Sequence, residues 1–267
     1  SSAAAAGGVT LVADMPLAND PVTTNASAFK VKCDEADRKS VIDFSLWGGL
    51  VDNNVGELAG MHQSGAFGFK AFTCFAGDDY PFATDRVIAE GLRETCRFDG
   101  FVGVHCEDDS LIQALELITD STDSSEVDRF LQAHAPMVER VAVEKVLALA
   151  GASGAQVHIC HASLPGVVEL VRQARRNGIR VTVETCPQYL VFGGDDLARK
   201  GAVLKCTPPL RDRDSRERLW EMLENGDIDF LVSDHSPATA EEKSEKSGFA
   251  RAWGGINGIQ FLFALLY

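Results

Sequence analysis

Short apolar runs rich in β-branched residues alternate along this chain with stretches of helical periodicity. Seven of the runs predict strands, and most of them end in polar residues. They are TLVADMP, VIDFSLWGGLV, FGFKAFTCF, FVGVHCED, AQVHICHAS, RVTVETC and DFLVSDHSP. The clearest helical stretches are 84–98, 138–150, 164–177 and 214–224, several of which end at Gly or Asn-Gly. The pattern is therefore a repeated βα unit.

Repeated βα units form either an open doubly wound sheet or a closed (β/α)8 barrel. A barrel carries its chemistry at the C-terminal ends of its strands, where the polar residues of this sequence lie. We therefore predict an α/β fold of the TIM-type barrel class, with residues 1–267 forming one domain.

The ends of the chain suggest that this barrel is incomplete. Seven strands do not close an eight-stranded barrel, and the opening SSAAAAGG is typical of the second half of a helix with its glycine stop. The closing WGGINGIQFLFALLY begins an apolar, helix-like segment without a cap. We expect the chain to be truncated at both ends, with one strand missing upstream.

Composition restricts the classes of partner. The 267 residues are 45% hydrophobic, enough for a large single core, and their net charge of -14 argues against a nucleic-acid surface, which needs basic patches. No apolar run approaches the ~20 residues of a membrane span, so no membrane contact is expected. Seven cysteines without a CxxC pair are typical of buried thiols in a reducing compartment, and we predict a cytoplasmic protein.

Four short motifs carry residues with metal or acid–base chemistry. GFKAF contains Lys70, VHCED contains His105, VHICHAS contains His161, and VSDHSP contains Asp234. Each lies on a predicted strand or at its C-terminal end, so a barrel would bring all four together. A lysine in an apolar strand is unusual because a buried ammonium needs a partner; the alternative for Lys70 is a pair with a carboxylate.

The neighbouring histidines are sorted by strand alternation. Residues two apart share a face, so His161 and Ile159 should point one way and His158 the other. We expect His161 to be a ligand and His158 to be hydrogen-bonded between the strands and the helices. His62, on a predicted surface helix, and His134 are predicted to be structural or solvated.

Histidine and aspartate side chains are common zinc ligands, and a neutral lysine amine can react with carbon dioxide to give an anionic carbamate that bridges two metals. Burial should favour the neutral amine by lowering the pKa of Lys70 from its usual ~10.4. Glu107, on the same predicted face as His105, is either a rival acid or a carboxylate that orients His105, and we prefer the second interpretation.

The motifs GGVTLVADMPLAND, GFKAF, VHCED, VHICHAS, VETCPQYL, LKCTPPLRD and AWGGINGIQ resemble those of the cyclic amidohydrolases, most closely the allantoinases. The resemblance implies zinc-dependent hydrolysis of a cyclic ureide, with allantoin converted to allantoate. It implies two divalent metal ions, N6-carboxylysine at Lys70 as their bridge, His105 and His161 as ligands of one metal, and Asp234 as ligand of the other and general base.

The same resemblance assigns a substrate region and suggests an assembly. The residues assigned to substrate binding are Cys206, Thr207, Ser236, Trp253, Gly254 and Gly255. A full-length parent is expected to be a homotetramer. Alternatives are dihydropyrimidinase, hydantoinase or dihydroorotase activity, or a non-catalytic scaffold like some dihydropyrimidinase relatives.

One departure from the family bears on activity. Family members carry a His-x-His pair at the end of the first strand, but the six histidines here are at positions 62, 105, 134, 158, 161 and 235. The missing pair falls in the strand expected upstream. We therefore predict that these 267 residues alone are inactive towards allantoin even with added metal.

Overall fold

A computed structural model describes residues 1–120 and 123–265 of the chain. The described strands are β1 (Leu11–Asp14), β2 (Asp43–Leu46), β3 (Gly48–Gly49), β4 (Phe69–Phe72), β5 (Phe101–His105), β6 (Gln156–Ile159), β7 (Val181–Thr185) and β8 (Phe230–Leu231). The helices are α1 (Ser2–Ala6), α2 (Ala26–Lys39), α3 (Leu58–Gln63), α4 (Asp85–Cys96), α5 (Asp109–Thr119), α6 (Glu126–Ala133), α7 (Pro136–Ser153), α8 (Pro165–Arg176), α9 (Pro187–Val191), α10 (Gly194–Lys200) and α11 (Arg213–Glu224).

Local capping signals explain where the helices begin. The Thr84 hydroxyl accepts a hydrogen bond from the amide of Val87 at the start of α4, and Asp212 accepts one from the amide of Ser215 at the start of α11. Pro165 occupies the first turn of α8, where its missing N–H costs nothing. The four helices predicted from periodicity are confirmed.

All strand pairs are parallel, as βα repeats require. Strands β3 to β8 form one sheet in sequence order, and β1 pairs with β2 in a second, two-stranded sheet. The prediction of seven strands was wrong in one respect: the second run is divided at Trp47, so that β2 pairs with β1 while β3 pairs with β4. Within the described residues the barrel is not closed, because β1 pairs only with β2 and β8 only with β7.

The two faces of the larger sheet have different chemistry. One face packs valine and isoleucine side chains such as Val104, Ile159 and Val183 against α4, α7 and α8 in a continuous apolar core. Alternation therefore places Lys70 and His105 on the other face. The candidate site lies on that face, at the ends of the strands; this surface of the sheet is called the floor of the site.

Trp47 fills the space beneath that floor. Its ring contacts Phe67, Phe101 and His158 with centroid distances of 5.5, 5.1 and 6.5 Å. Position 103 must be glycine here, because a Cβ at Gly103 would lie 2.7 Å from the Trp47 ring. The break at Trp47 that divides the second run thus also places the indole against Gly103.

A second apolar cluster, which includes Leu197, Leu219 and Phe249, supports the loops that follow β7 and β8. The predicted helix at the C-terminal end is absent from the described residues, which form only a 3-10 turn at Ile259–Phe261. That turn lies against the end of α1, so closely that a Cβ at Gly7 would stand 2.5 Å from the Gln260 carbonyl. The glycine stop predicted after α1 is confirmed.

All seven cysteines are free thiols. Within the described part of the chain, every helix is too short or too polar to cross a membrane.

Candidate metal centre

The four residues singled out in the sequence lie on four different strands or in the turns that follow them. Lys70 is in β4, His105 ends β5, and His161 and Asp234 follow β6 and β8. Lys70, His105 and His161 are 2, 3 and 4% exposed, and Asp234 is half-buried. His105 Nδ1 lies 3.1 Å from His161 Nε2, and Lys70 acts electrostatically on both His161 and Asp234. The fold thus gathers these residues although 164 positions separate the first from the last.

Two of these side chains are aimed by unusual backbone conformations. His161 and Asp234 have φ of 37° and 42°, in the left-handed region that non-glycine residues seldom adopt. The prediction that His161 shares a face with Ile159 was therefore wrong: β6 ends at Ile159, which faces the helices, and the turn after it swings His161 towards His105. The His161 amide donates to Glu184 Oε1 at 3.3 Å, which supports the turn.

Glu107 connects His105 to a third histidine. Its Oε2 lies 2.9 Å from His105 Nε2, and its Oε1 lies 2.7 Å from His134 Nδ1. Burial alone would raise the pKa of Glu107, but His134 and His105 hold it well below its usual range. An ionised carboxylate only accepts hydrogen bonds, so His105 Nε2 is the donor to Glu107, and His105 Nδ1 is the ring nitrogen that faces His161.

His134 was predicted to be structural or solvated, and solvation is ruled out. Its side chain is 13% exposed and bonded to a fully buried carboxylate. No local motif in the sequence signals this contact, because 27 positions separate the two residues.

The donors around His161 fit a divalent metal ion. Nε2 of His161 is the ring nitrogen that faces His105, while the other ring nitrogen, Nδ1, is buried without a hydrogen-bond partner in the described residues. Burial, then Lys70 and His105, lowers the pKa of His161 well below its usual value, so the ring is neutral and can act as a ligand. Two nitrogens each about 2.0–2.1 Å from a tetrahedral zinc ion lie roughly 3.3 Å apart, close to the spacing of His105 Nδ1 and His161 Nε2.

The expected shift of the Lys70 pKa was wrong in direction. Burial does lower it, but the neighbouring Cys160, Glu184 and Asp234 more than offset burial, and the pKa is raised. The Lys70 Nζ also lies 4.8 Å from the centre of the Phe72 ring, a contact that favours a cation. The side chains by themselves therefore favour the ammonium form of Lys70.

His158 lies on the same face as Lys70 and not in the layer between strands and helices, so that part of its prediction was wrong. It is hydrogen-bonded, as predicted: Nδ1 lies 2.8 Å from Thr182 Oγ1, and Nε2 lies 3.0 Å from Glu184 Oε2. His158, Cys160 and Glu184 form a compact buried group beside the Lys70 side chain. His62, by contrast, is exposed on α3 and stacks on Phe98, as expected for a surface helix.

Most residues assigned to the substrate region lie together beside Asp234. The Trp253 indole donates to Ser236 Oγ at 3.0 Å, and a Cβ at Gly255 would lie 2.4 Å from Ser236. A Cβ at Gly254 would lie 3.9 Å from Thr207 Oγ1. Cys206 is 2% exposed, and burial raises the pKa of its thiol to about 12.

Comparison with known proteins agrees with this geometry. A family model described as dihydro-orotase-like matches residues 1–165. The chain belongs to the dihydro-orotase-like family. It is 40% identical over 267 residues to the allantoinase of Solibacter usitatus (strain Ellin6076) and 40% identical over 261 residues to that of Deinococcus radiodurans, covering 100% and 97% of this chain. The resemblance to the allantoinases is confirmed.

Among solved structures, the L-hydantoinase (dihydropyrimidinase) from Arthrobacter aurescens superimposes with a TM-score of 0.96 at 32% identity, over 99% of this chain and 59% of that one. The chain likewise spans 58% of the length of the two allantoinases. The parallel α/β architecture is therefore that of this family's barrel enzymes.

Two lysines hold the loop around Trp253 of this dihydro-orotase-like chain. Lys205 Nζ donates to the carbonyls of Phe249, Ala250 and Ala252 at 2.8–3.1 Å. Lys243 Nζ donates at 2.9 Å to the carbonyls of Ala202, Lys205 and Trp253. Each ammonium thus uses three donors on loop carbonyls. Sequence analysis missed both lysines because they bond backbone atoms, which no side-chain motif reveals.

A buried network around Arg211 holds the other side of the site. Arg211 Nη2 lies 3.0 Å from Glu139 Oε2, its Nε donates to Ser163 Oγ at 2.9 Å, and its Nη1 donates to the His134 carbonyl at 2.7 Å. The Ser163 amide donates to Glu139 Oε1 at 2.9 Å. The loop after β6 and the segment before α7 are thereby fixed to the loop that carries Thr207.

Proposed function

We propose that this chain is the catalytic portion of an enzyme that hydrolyses an amide bond in a cyclic ureide, converting allantoin to allantoate. The observation that carries the proposal is the buried pair of ring nitrogens, His105 Nδ1 and His161 Nε2, 3.1 Å apart with Lys70 and Asp234 beside them. Relatives named allantoinase, aligned along the whole chain, support allantoin as the substrate.

In this proposal His105, His161, Lys70 and Asp234 hold two divalent metal ions, with zinc as the metal. When bound, such ions polarise a carbonyl and lower the pKa of water towards ~7. Lys70 is proposed to carry the carbamate. Glu184 and Asp234 are the acidic neighbours that favour the ammonium form of Lys70. Bound metal cations would neutralise the charge of these two carboxylates and so remove that preference.

Asp234 is proposed as the general base. It accepts the proton of the attacking water and passes it to the ring nitrogen, so that the C–N bond of the ring breaks while a new C–O bond forms. Asp234 lies after β8, close to Lys70 and to the proposed substrate region. This position suits a group that takes a proton from water and then gives it to the substrate. Glu107 keeps the His105 ring oriented throughout.

The substrate region is proposed to bind the ureide through backbone and hydroxyl groups. Ser236 and Thr207 offer hydroxyls, and the glycines at 254 and 255 leave the main chain accessible next to Trp253. Cys206 would contribute through its backbone, since its side chain is buried. The whole protein is proposed to be a cytoplasmic homotetramer.

A second candidate activity is that of a hydantoinase or dihydropyrimidinase. The observation in its favour is the 0.96 TM-score with a hydantoinase structure. Dihydroorotase activity rests on the family description alone. A non-catalytic scaffold explains less, because it has no chemical need of four convergent ligands from four strands.

The test uses a version of the protein extended by an upstream strand that ends in His-x-His, purified with zinc. We expect it to form allantoate from allantoin faster than it opens hydantoin, dihydrouracil or dihydroorotate. The 267 residues alone, which contain no such histidine pair, should show no turnover. Faster opening of hydantoin would favour the second candidate, and activity of the unextended chain equal to that of the extended one would contradict the two-metal proposal.

A further inference from the structure

We propose that His134 is a positioning residue for the candidate ligand His105, acting through Glu107. The inference rests on the proposed metal centre and adds a residue to it. Its basis is a continuous chain of four side chains, His134, Glu107, His105 and His161, with successive atom pairs 2.7, 2.9 and 3.1 Å apart.

Each oxygen of the Glu107 carboxylate is occupied by a different imidazole. Oε1 accepts from His134 Nδ1 and Oε2 from His105 Nε2, while the side chain is fully buried. The Glu107 amide donates to Thr73 Oγ1 at 3.0 Å, which fixes the backbone but leaves the carboxylate free to rotate. His134 therefore determines the plane of the carboxylate and, with it, which oxygen faces His105.

His134 is itself held firmly enough to do this. Its amide donates to the Phe130 carbonyl at 3.0 Å, and its ring lies 4.6 Å from the Phe130 ring. Its own carbonyl accepts from Arg211 Nη1 at 2.7 Å. Three fixed contacts on backbone and ring make the Nδ1–H a preorganised donor to Glu107.

The consequence for metal binding follows from the tautomer of His105. Only the Nε2–H form turns a lone pair on Nδ1 towards His161, and the Glu107 carboxylate selects that form. Without the His134 donor, the buried carboxylate loses half of its hydrogen bonds and can turn away from His105. Loss of partners that orient metal ligands typically weakens metal affinity about 10–100-fold, and we expect about tenfold for this more remote group.

The experiment measures the zinc affinity of the purified chain by competition with a chromogenic chelator. Zinc binding that persists in His105→Ala is treated as background and subtracted. His134→Phe keeps a ring against Phe130 but has no donor, whereas His134→Asn keeps an N–H near the position of Nδ1. We expect His134→Phe to bind zinc about tenfold more weakly and His134→Asn to remain near the parent value. His62→Phe, an exposed histidine changed in the same way, is the matched control and should have no effect.

A double-mutant cycle separates positioning from a general structural role. If His134 acts through Glu107, then His134→Phe should have little further effect on zinc affinity in the Glu107→Gln background. Nitrogen-15 NMR of the His105 ring gives a readout without metal: the Nε2–H form should predominate in the parent chain and in His134→Asn, and give way to mixed tautomers in His134→Phe. Should His134→Phe be unfolded, His134→Gln takes its place in both measurements, because its N–H lies near the position of Nε2 and not of the Nδ1 that contacts Glu107.

Parent-like zinc affinity together with an unchanged His105 tautomer in His134→Phe would overturn this inference and leave the proposed function standing. Equal losses in His134→Phe and His134→Asn would also overturn it. If the parent chain binds zinc no better than His105→Ala, the proposed metal centre itself fails, and the positioning role for a ligand fails with it.

Discussion

Lys70 is the residue on which the proposed chemistry depends most directly. It is 2% exposed, next to Cys160, Glu184 and Asp234, so its ammonium already has acidic neighbours without any modification. A salt-bridged lysine and a carbamate therefore make different predictions for substitution. Removing an ammonium leaves buried acids uncompensated, whereas removing a carbamate leaves a gap that another carboxylate can fill.

We expect Lys70→Ala in the extended protein to abolish allantoin hydrolysis and a short carboxylic acid in the assay to restore part of it. Asp234→Asn should lower kcat by ~10²- to 10⁴-fold, the usual contribution of a general base, and should not be fully restored by the same acid. Lys39→Ala, on the exposed end of α2, is the matched control. Unchanged turnover in Lys70→Ala would exclude the carbamate.

The four site residues were all named from sequence motifs, but the face on which a side chain lies was predictable only where a strand presents it, not where a turn does. Lys70 and His105 lie within regular strands, so alternation identifies their face. His161 follows a strand that has already ended, and its positive φ cancels the alternation. His134 lies outside any strand and is recognisable only from its contact with Glu107, which depends on tertiary packing.

At the scale of elements, the loop that carries Trp253 is held by the lysine contacts described above. Lys243→Met should keep most of the apolar stem but remove three hydrogen bonds to loop carbonyls, at a cost of about 1–3 kcal/mol in the free energy of unfolding. Trp253 fluorescence should shift towards that of a more solvated indole. Denaturant titration checks the first effect, and Lys246→Met, whose side chain is exposed nearby, should leave both signals unchanged.

The cap of α11 gives a pH-dependent prediction. Hydrogen bonds from Ser215 hold the pKa of Asp212 below its usual value, so the stabilisation is present in full above the free-aspartate pKa of ~3.9 and is lost as pH falls through the lower folded value. Asp212→Ala should cost about 1 kcal/mol at neutral pH, and Asp212→Asn less.

Urea unfolding of these variants at neutral and acidic pH tests the cap. The difference between the parent chain and Asp212→Ala should shrink as the pH falls below about 3.9. Glu221→Ala, exposed on the same helix, serves as the control. A difference that grows on acidification would contradict the assigned hydrogen bonds.

The helices were the most predictable elements because their signals are local. Caps such as Thr84 and Asp212 and an amphipathic period lie within a few residues of each other in sequence. The division of the second strand at Trp47 was not predictable in this way, since it depends on the space beneath β5 that the indole fills. The 3-10 turn at Ile259–Phe261 likewise depends on packing against α1.

At the scale of the whole molecule, both the parallel topology and an open, incomplete barrel were expected from the sequence. Repeated βα units lead to parallel strands in sequence order, as observed from β3 to β8. Closure requires pairing between β1 and β8 directly or through a further strand, and neither occurs in the described part of the chain. Each of these two strands therefore has an edge whose backbone groups are unpaired by any described strand.

Unpaired strand edges lead to the last prediction, which concerns association. Leu11 in β1 and Phe230 in β8 are 56 and 52% exposed, so both edges present apolar side chains together with free backbone groups. We expect the purified chain to associate increasingly as its concentration rises, as measured by sedimentation velocity. The double variant Leu11→Lys and Phe230→Lys should stay monomeric to higher concentration, because lysine on an edge opposes strand pairing.

Leu117→Lys, which removes a 79% exposed leucine from the surface of α5, is the matched control for general hydrophobicity. If Leu117→Lys suppresses association as strongly as the double variant, non-specific apolar contact and not the open edges drives it; if only the double variant does, the edges are where another strand would pair.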